Sequence, residues 1–142
     1  MITDIRSTMI TQEELFSLLS QQLVCPHVPK NRFFSILLQV PNNQFNYLYH
    51  EDGKLVGFVS LYIEQKLSLG CLCVAHINDL IVDKDYPSSK IERELIEHCV
   101  HIAKCNNCCR VVVHCHEHSV PLCKDIGFAP QGRELTMIVR PM

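Results

Sequence analysis

The sequence lacks several features that would assign the chain to a special class of protein. It has no excess of basic charge, since 13 Lys and Arg stand against 15 Asp and Glu and the net charge is −2. Nothing therefore predicts a general attraction to nucleic acid. It has no apolar run of the roughly 18 residues that a membrane helix needs, and no basic-then-apolar N-terminal signal. Internal repeats and low-complexity tracts are also missing. We therefore expect a soluble, cytoplasmic protein that binds neither nucleic acid nor membrane.

The composition is otherwise that of an ordinary globular protein. The chain has 142 residues, of which 47% are hydrophobic and 20% are charged. This length suits one domain and is long enough to bury a core. We therefore predict a single domain over residues 1–142.

Cysteine is unusually abundant, with nine residues. An odd number without a secretion signal favours reduced thiols in the cytosol. Most of the cysteines lie in apolar patterns, where a thiol behaves as a small hydrophobic group. A zinc site at His98, His101, Cys105 and Cys108 is an alternative interpretation. The sequence lacks a second closed pair of ligands at the usual spacing, so we expect no metal.

The hydrophobic pattern predicts the order β-α-α-β-β-β-α-β-α-β. An antiparallel meander followed by a strand–helix–strand unit indicates an α/β (α+β) fold, with a mixed central sheet flanked by helices on both faces. The predicted strands are 2–5, 45–50, 55–64, 72–82, 110–115 and 134–140, and the predicted helices begin at Thr11, Asn31, Ser88 and Ser119. Thr11 and Glu14 predict a capping box at the start of the first helix, whose apolar stripe extends to Leu23, and the Asp52-Gly53 pair predicts a hairpin turn.

The strand at 72–82 stands out because polar side chains interrupt an apolar run. His76, Asn78 and Asp79 lie in its middle, and buried polar residues are costly unless they are paired or used. Ser88 and Ser89 then offer a helix cap. A helix N-terminus beside the carboxyl end of a strand favours an anion. We therefore place the candidate site here, with Asp79 as the first candidate residue.

Several spaced segments resemble the GNAT acyl-CoA N-acetyltransferases, and within them the glucosamine 6-phosphate N-acetyltransferases. HINDLIV at 76–82 is similar to the family's HIEDI-V, and HCHEHSVPLCKDIGF at 114–128 is similar to a later family segment ending in GF. The resemblance implies a GNAT fold and acetyl transfer from acetyl-CoA to the amine of glucosamine 6-phosphate. The amine would attack the thioester directly, on the route to UDP-N-acetylglucosamine. It also implies a homodimer whose sugar site is built across the two chains.

The resemblance implies roles for individual residues as well. Asn78 and Asp79 would bind the sugar and position its amine, and Cys123 stands where the family has a tyrosine that hydrogen-bonds the leaving thiolate. The resemblance implies an acetyl-CoA site at Leu80, Ile81, Val82, Ser88, Ser89, Lys90, Ile91, Glu92, Ser119 and Cys123. It implies a sugar-phosphate site at Lys66, Leu67, Ser68, Leu69, Asn78, Asp79, His114 and Arg140.

Two departures from the family pattern leave alternatives open. The family's diphosphate loop is glycine-rich, whereas residues 87–92 contain no glycine and end in the acidic Glu92. Losing the donor that Cys123 replaces typically costs about 10²–10³ in rate. One alternative is a catalytically weakened or non-catalytic GNAT-fold binding protein. Others are a GNAT enzyme for another amine, such as a polyamine or a protein N-terminus, or a Cys123 nucleophile with His114 or His116 as its base.

Overall fold

The computed structural model describes residues 1–141 and is built on a five-stranded sheet. The strands lie in sequence order, and every neighbouring pair is antiparallel except the last, which is parallel. This is the predicted mixed sheet, so the predicted fold class is confirmed. The strands are β1 (Ile2–Asp4), β2 (Gln44–Glu51), β3 (Lys54–Gln65), β4 (Cys73–Val82) and β5 (Cys108–Val113).

Four helices cover the two faces of the sheet. On one face, residues of α1 and α2 pack with Leu48, Phe58 and Ile81 of the sheet. On the other face, α3 and α4 pack against the alternate side chains of β2, β3 and β4. The helices are α1 (Gln12–Leu19), α2 (Lys30–Gln39), α3 (Ser88–Cys105) and α4 (Val120–Ile126). Among residues 1–141, no helix combines the length and the apolar character required to cross a bilayer.

Gly57 on β3 fixes how closely α3 approaches the sheet. A Cβ added at this residue would lie 3.1 Å from Ile91 Cγ2 and 3.2 Å from Leu95 Cδ1 of α3, and 3.0 Å from Tyr49 Cβ of β2. These distances are shorter than the roughly 3.5–4.0 Å separation that two carbon atoms prefer. The missing side chain therefore allows the start of α3 to pack directly on β3.

Local sequence signals set the ends of several elements. The predicted capping box forms at the start of α1, where Glu14 N donates to Thr11 Oγ1 at 3.2 Å and Thr11 N donates to a Glu14 carboxylate oxygen at 3.1 Å. The hairpin between β2 and β3 turns at Asp52 and Gly53, whose φ angles are 50° and 78°. Two positive φ angles in succession are what a tight hairpin turn requires.

Three local predictions differ from the structure. The first helix ends at Leu19 and does not reach Leu23. The residue that precedes α3 is Pro87, and no side chain caps that helix. The predicted last strand, 134–140, is not formed, because its backbone lies beside no strand within residues 1–141 and a strand needs a partner for its hydrogen bonds. Leu135 and Val139 in this segment are 91% and 88% exposed.

Candidate active site

A β-bulge lies in the middle of β4. Phe58 pairs with Ile81 and Ser60 pairs with Asn78, so Asp79 and Leu80 together oppose the single residue Val59. Asp79 takes a φ of 54°, in the left-handed region that Asp tolerates better than most residues. A bulge bends a strand and changes the direction of a side chain, and bulges are frequent next to active sites. Here the bulge leaves Asp79 exposed within a mostly buried strand.

The parallel strands β4 and β5 separate beside this bulge. Their pairing runs from Cys73 and Cys108 to Ile77 and Val113, and the last bond is donated by His114 N to Ile77 O at 3.0 Å. Beyond this bond the segment that follows β5 no longer pairs with β4, and β4 continues to Val82 paired with β3 only. The separation opens a cleft of about 660 Å³. It is lined by Leu23, Asn78, Asp79, Leu80, Ile81, Val112, Val113, His114, Cys115, His116, Gln131 and Glu134.

Two ionisable side chains meet across the mouth of this cleft. His114 Nδ1 lies 2.5 Å from a carboxylate oxygen of Glu134. A carboxylate on one ring nitrogen fixes the orientation of an imidazole and leaves Nε2 to exchange a proton. Asp79 lines the same cleft. The cleft therefore contains a candidate base, and its lining includes neither Lys nor Arg.

A buried polar cluster lies between α3 and α4. Ser119 Oγ donates to Glu92 Oε2 at 3.0 Å, and the two residues are only 4% and 8% exposed. Cys123 is buried beside them. Burial, with smaller effects of the Cys115 thiol and the Glu92 carboxylate, raises the pKa of Cys123 to about 12. The residue that lines the cleft is Cys115, whereas Cys123 is not among the lining residues.

The first turn of α3 carries exposed residues that can hold an anion. Ser88, Ser89 and Lys90 are all exposed, and no side chain caps the backbone N–H groups of this turn. The next cation along the helix is already paired, because Arg93 binds Glu97 at 3.2 Å and also binds Asp125. Lys90 is therefore the basic side chain of this turn that can reach a ligand.

The sequence-predicted phosphate residue Lys66 lies in a different place. Its Nζ is 3.5 Å from Glu64 Oε2, and Glu64 Oε1 is 2.9 Å from His76 Nε2. The hydrogen bond from His76, helped by Lys66, lowers the pKa of Glu64. Leu67, Ser68 and Leu69 follow in an exposed connection before β4. This group lies on the β3–β4 side and does not line the cleft of its own chain.

The structure thus brings together some of the predicted residues and separates others. Asn78, Asp79, Leu80, Ile81 and His114 line one cleft. The side chains of Val82 and Ile91 lie in the core, and Arg140 is exposed in the C-terminal segment.

Three polar or thiol residues of the cleft were not predicted as site residues. Glu134 was assigned to a strand, and its contact with His114 spans a long stretch of chain that no local pattern reports. The others are Cys115 and Gln131, whereas His116, which the sequence offered only as an alternative base, also lines the cleft. For the alternative zinc site, no three His, Cys, Asp or Glu side chains come together as a ligand group within the described part of the chain.

This chain belongs to the acetyltransferase (GNAT) family, whose sequence model matches residues 12–128. Splayed parallel strands, a bulged β4 and a helix N-terminus beside them therefore occur here in an acetyltransferase fold. The family identity follows from the match to most of the chain. The cleft between β4 and β5 is the candidate site for the family's reaction.

Two curated relatives within the family share one enzyme name. The glucosamine 6-phosphate N-acetyltransferase of Trypanosoma brucei brucei is 29% identical over 91 residues, which cover 64% of this chain and 62% of the relative. The enzyme of the same name from Candida albicans is 29% identical over 84 residues, covering 59% and 56%. The matched part therefore spans about three fifths of these relatives.

Solved structures share the fold over nearly the whole chain. A glucosamine-6-phosphate N-acetyltransferase from Arabidopsis thaliana superposes with a TM-score of 0.84 at 18% identity, covering 99% of this chain and 98% of that one. A Trypanosoma brucei acetyltransferase gives a TM-score of 0.85 at 21% identity, covering 98% and 99%. At these identities the likeness shows the fold alone.

The residues of the site fit acetyl-CoA at one end better than at the other. The edge of β4 beyond Ile77 is free of β5, so its backbone groups can bind an extended amide-containing arm. The start of α3 offers N–H groups and Lys90 to phosphate. Glu92, however, places a carboxylate two residues beyond Lys90. The fit is therefore good for the pantetheine arm and poorer for the diphosphate.

Proposed function

We propose that this chain transfers an acetyl group from acetyl-CoA to the amine of glucosamine 6-phosphate, giving N-acetylglucosamine 6-phosphate for UDP-N-acetylglucosamine synthesis. The observation that carries the proposal is the cleft between β4 and β5, which holds Asp79 and the paired His114 and Glu134. The names of the curated relatives support this acceptor.

The chemistry requires an uncharged amine, a thioester carbonyl and a base. Acetyl-CoA supplies the activated acetyl group, and no covalent bond to the protein is needed. His114, whose ring is oriented by Glu134, accepts at its free Nε2 the proton that the amine loses. Asp79 attracts the ammonium form of the acceptor and so positions the amine beside the free edge of β4. Cys123, which stands where the resembled family has its tyrosine, is buried and does not line the cleft, so the departing sulfur meets the thiol of Cys115 rather than a phenol, which lowers the rate.

The sugar phosphate needs basic groups that the cleft of one chain does not contain. Lys66 and Arg140 lie outside it, and phosphate monoesters are bound by Lys and Arg. The apolar segment 134–140 is exposed, as expected of a segment that pairs with another chain. We therefore include a homodimer in the proposal, in which a second copy brings a basic residue to the sugar phosphate.

A measurement of the molar mass in solution tests the proposed homodimer. The wild type is expected at twice the 16.3 kDa chain mass by light scattering, and Ile138→Asp is expected at the monomer mass because a charge cannot be buried in an apolar contact. A monomeric wild type contradicts this part of the proposal.

The cytoplasmic location is proposed because all nine cysteines are free thiols.

A second candidate is a GNAT-fold binding protein with little or no turnover. The buried Glu92–Ser119 pair and the buried Cys123 favour it, since Glu92 ends a loop that is glycine-rich in the resembled family and Cys123 stands where that family has a tyrosine. Such a protein would bind a phosphosugar or a partner and release no product.

Direct detection of the acetylated product separates the two candidates. We expect mass spectrometry to find N-acetylglucosamine 6-phosphate after incubation with acetyl-CoA and glucosamine 6-phosphate, and much less acetylated product with glucosamine, which lacks the phosphate. Product detection is preferable to a thiol assay, because the chain carries nine thiols of its own. Product formation equal to that of Asp79→Ala would support the binding protein instead.

A further inference from the structure

The carboxylate of Glu92 takes no part in the chemistry proposed above, although it is one of two buried acids, with Asp83, in the described part of the chain. Glu92 is the fifth residue of α3, and its side chain accepts the hydrogen bond from Ser119, which precedes α4. The Glu92 charge also contributes to raising the pKa of Cys123, and the neighbouring Cys115 lines the cleft. The Glu92–Ser119 pair therefore joins α3 to the start of α4 beside Cys123, whose neighbour Cys115 lines the cleft.

This position puts a negative charge next to the place where a diphosphate would bind. Glu92 follows Ser88, Ser89 and Lys90 by two to four residues, which is about 3–6 Å along a helix axis. Arg93, the next residue of the helix, is bound to Glu97 and Asp125, and the exposed Lys90 forms no ion pair with Glu92 within residues 1–141.

Only part of a coenzyme A molecule is sensitive to such a charge. The pantetheine arm is uncharged and binds through amide groups, whereas the diphosphate carries two negative charges. The lining of the cleft, which contains Asp79 and Glu134 but neither Lys nor Arg, does not compensate. Like charges a few ångströms apart near a protein surface change a binding constant by about tenfold or more.

We propose that Glu92 determines the choice of acyl donor by disfavouring the nucleoside diphosphate of coenzyme A, so that the pantetheine arm alone binds this chain nearly as well as coenzyme A. The inference rests on the proposed acyl transfer, and it extends the donor to acyl-pantetheine thioesters that lack a diphosphate. With either donor the carbon–sulfur bond of the thioester breaks and an amide bond forms. The amine loses one proton and the departing thiolate gains one.

Binding measurements on three proteins test the inference without relying on turnover. Dissociation constants for coenzyme A and for reduced pantetheine are measured by NMR titration for the wild type, Glu92→Gln and Glu97→Gln. Glu92→Gln keeps the size of the side chain and an oxygen that accepts from Ser119. Glu97→Gln is the matched control, since it removes one charge from the same helix, on a half-exposed side chain beside Arg93.

The expected result is a selective gain for coenzyme A. The wild type binds the two ligands within about tenfold of each other, and Glu92→Gln tightens coenzyme A by about tenfold or more while pantetheine changes by less than about twofold. Glu97→Gln leaves the affinities for both coenzyme A and pantetheine unchanged. An unchanged coenzyme A affinity in Glu92→Gln overturns the inference, as does a wild type that prefers coenzyme A by about 100-fold. Failure of both the wild type and Glu92→Gln to bind either ligand overturns it too.

The product assay described above keeps this inference separate from the proposed function. Product formation together with an unchanged coenzyme A affinity in Glu92→Gln means that the function stands and the donor inference fails. A selective affinity gain without any acetylated product means that Glu92 controls binding of the donor in a chain that does not perform the reaction.

Discussion

The two ends of the candidate site differ in how well each suits its part of an acyl-CoA molecule. The cleft end combines a β-bulge at Asp79, a free strand edge and the His114–Glu134 pair, all of which suit an amide arm and an attacking amine. The α3 end has the helix N-terminus but places the buried carboxylate of Glu92 just behind it. Comparing them separates what the fold provides from what the side chains provide. Both ends have the backbone features of an acyl-CoA site, a free strand edge at one and a helix N-terminus at the other. The side chains depart from the family pattern at the α3 end, where the charged diphosphate would bind.

The largest expected effect tests the cleft end. His114→Ala is expected to lower kcat by about 10²–10³, because a positioned base contributes on the order of 10²–10⁴ to proton transfer and water replaces part of it. Glu134→Gln should lower kcat less, since it leaves the imidazole but no longer orients it as a carboxylate does. Both are measured as initial rates of product formation. Equal rates in all three proteins would remove His114 from the mechanism.

The next effect tests the α3 end through stability. Ser119→Ala leaves the buried Glu92 carboxylate without its hydrogen bond, at 8% exposure. An unpaired buried polar group costs about 1–3 kcal/mol, so we expect a loss of about 2 kcal/mol in the free energy of unfolding in urea. The control is Ser88→Ala, which changes an exposed serine of the same region and should cost less than about 0.5 kcal/mol. Similar losses in the two variants would mean that the Glu92–Ser119 pair does not stabilise the fold.

How much of this site could be predicted from the sequence depends on the range of the interactions. The HIND segment of β4 and the hairpin at Asp52 and Gly53 are local signals, and both lie where they were expected. The contact of His114 with Glu134 is set by the path of the chain after α4, which no periodicity encodes. The segment 134–140 has a strand-like pattern, but whether it forms a strand depends on a partner that its own sequence does not name.

A smaller effect tests the packing that holds the start of α3 in place. Gly57→Ala would bring a methyl group within 3.1 Å of Ile91 Cγ2 and 3.2 Å of Leu95 Cδ1. Overpacking costs about 1–3 kcal/mol, and the lower entropy of the unfolded chain returns about 0.4–1 kcal/mol. The net loss expected in chemical denaturation is therefore about 1–2 kcal/mol. Ser60→Ala, on the same strand, adds no atoms to that contact and should cost less; a stable Gly57→Ala protein would show that α3 can shift.

The smallest expected effect is a change in how stability depends on pH, and it arises in the body of α3 rather than in its exposed first turn. His98 on α3 packs edge-on against Tyr47 with ring centroids 4.4 Å apart, and its Nε2 has no hydrogen-bond partner among residues 1–141. Burial, with a smaller effect of His101, lowers the pKa of His98 below its ordinary value of 6.5. Well above pH 6.5 the ring is neutral in both the folded and the unfolded state, so its titration does not change the free energy of unfolding. As the pH falls below 6.5 the unfolded chain binds the proton first, so stability is lost through the folded-state pKa.

His98→Phe keeps a ring against Tyr47 and removes this proton. Its unfolding temperature should therefore fall less than that of the wild type between pH 7.5 and pH 5.5. His118→Gln, which changes an exposed histidine outside α3, should follow the wild type. Parallel curves for His98→Phe and the wild type would mean that acid sensitivity arises elsewhere. A flatter curve for His98→Phe alone would show that burial of the His98 ring in the body of α3 makes the fold sensitive to acid.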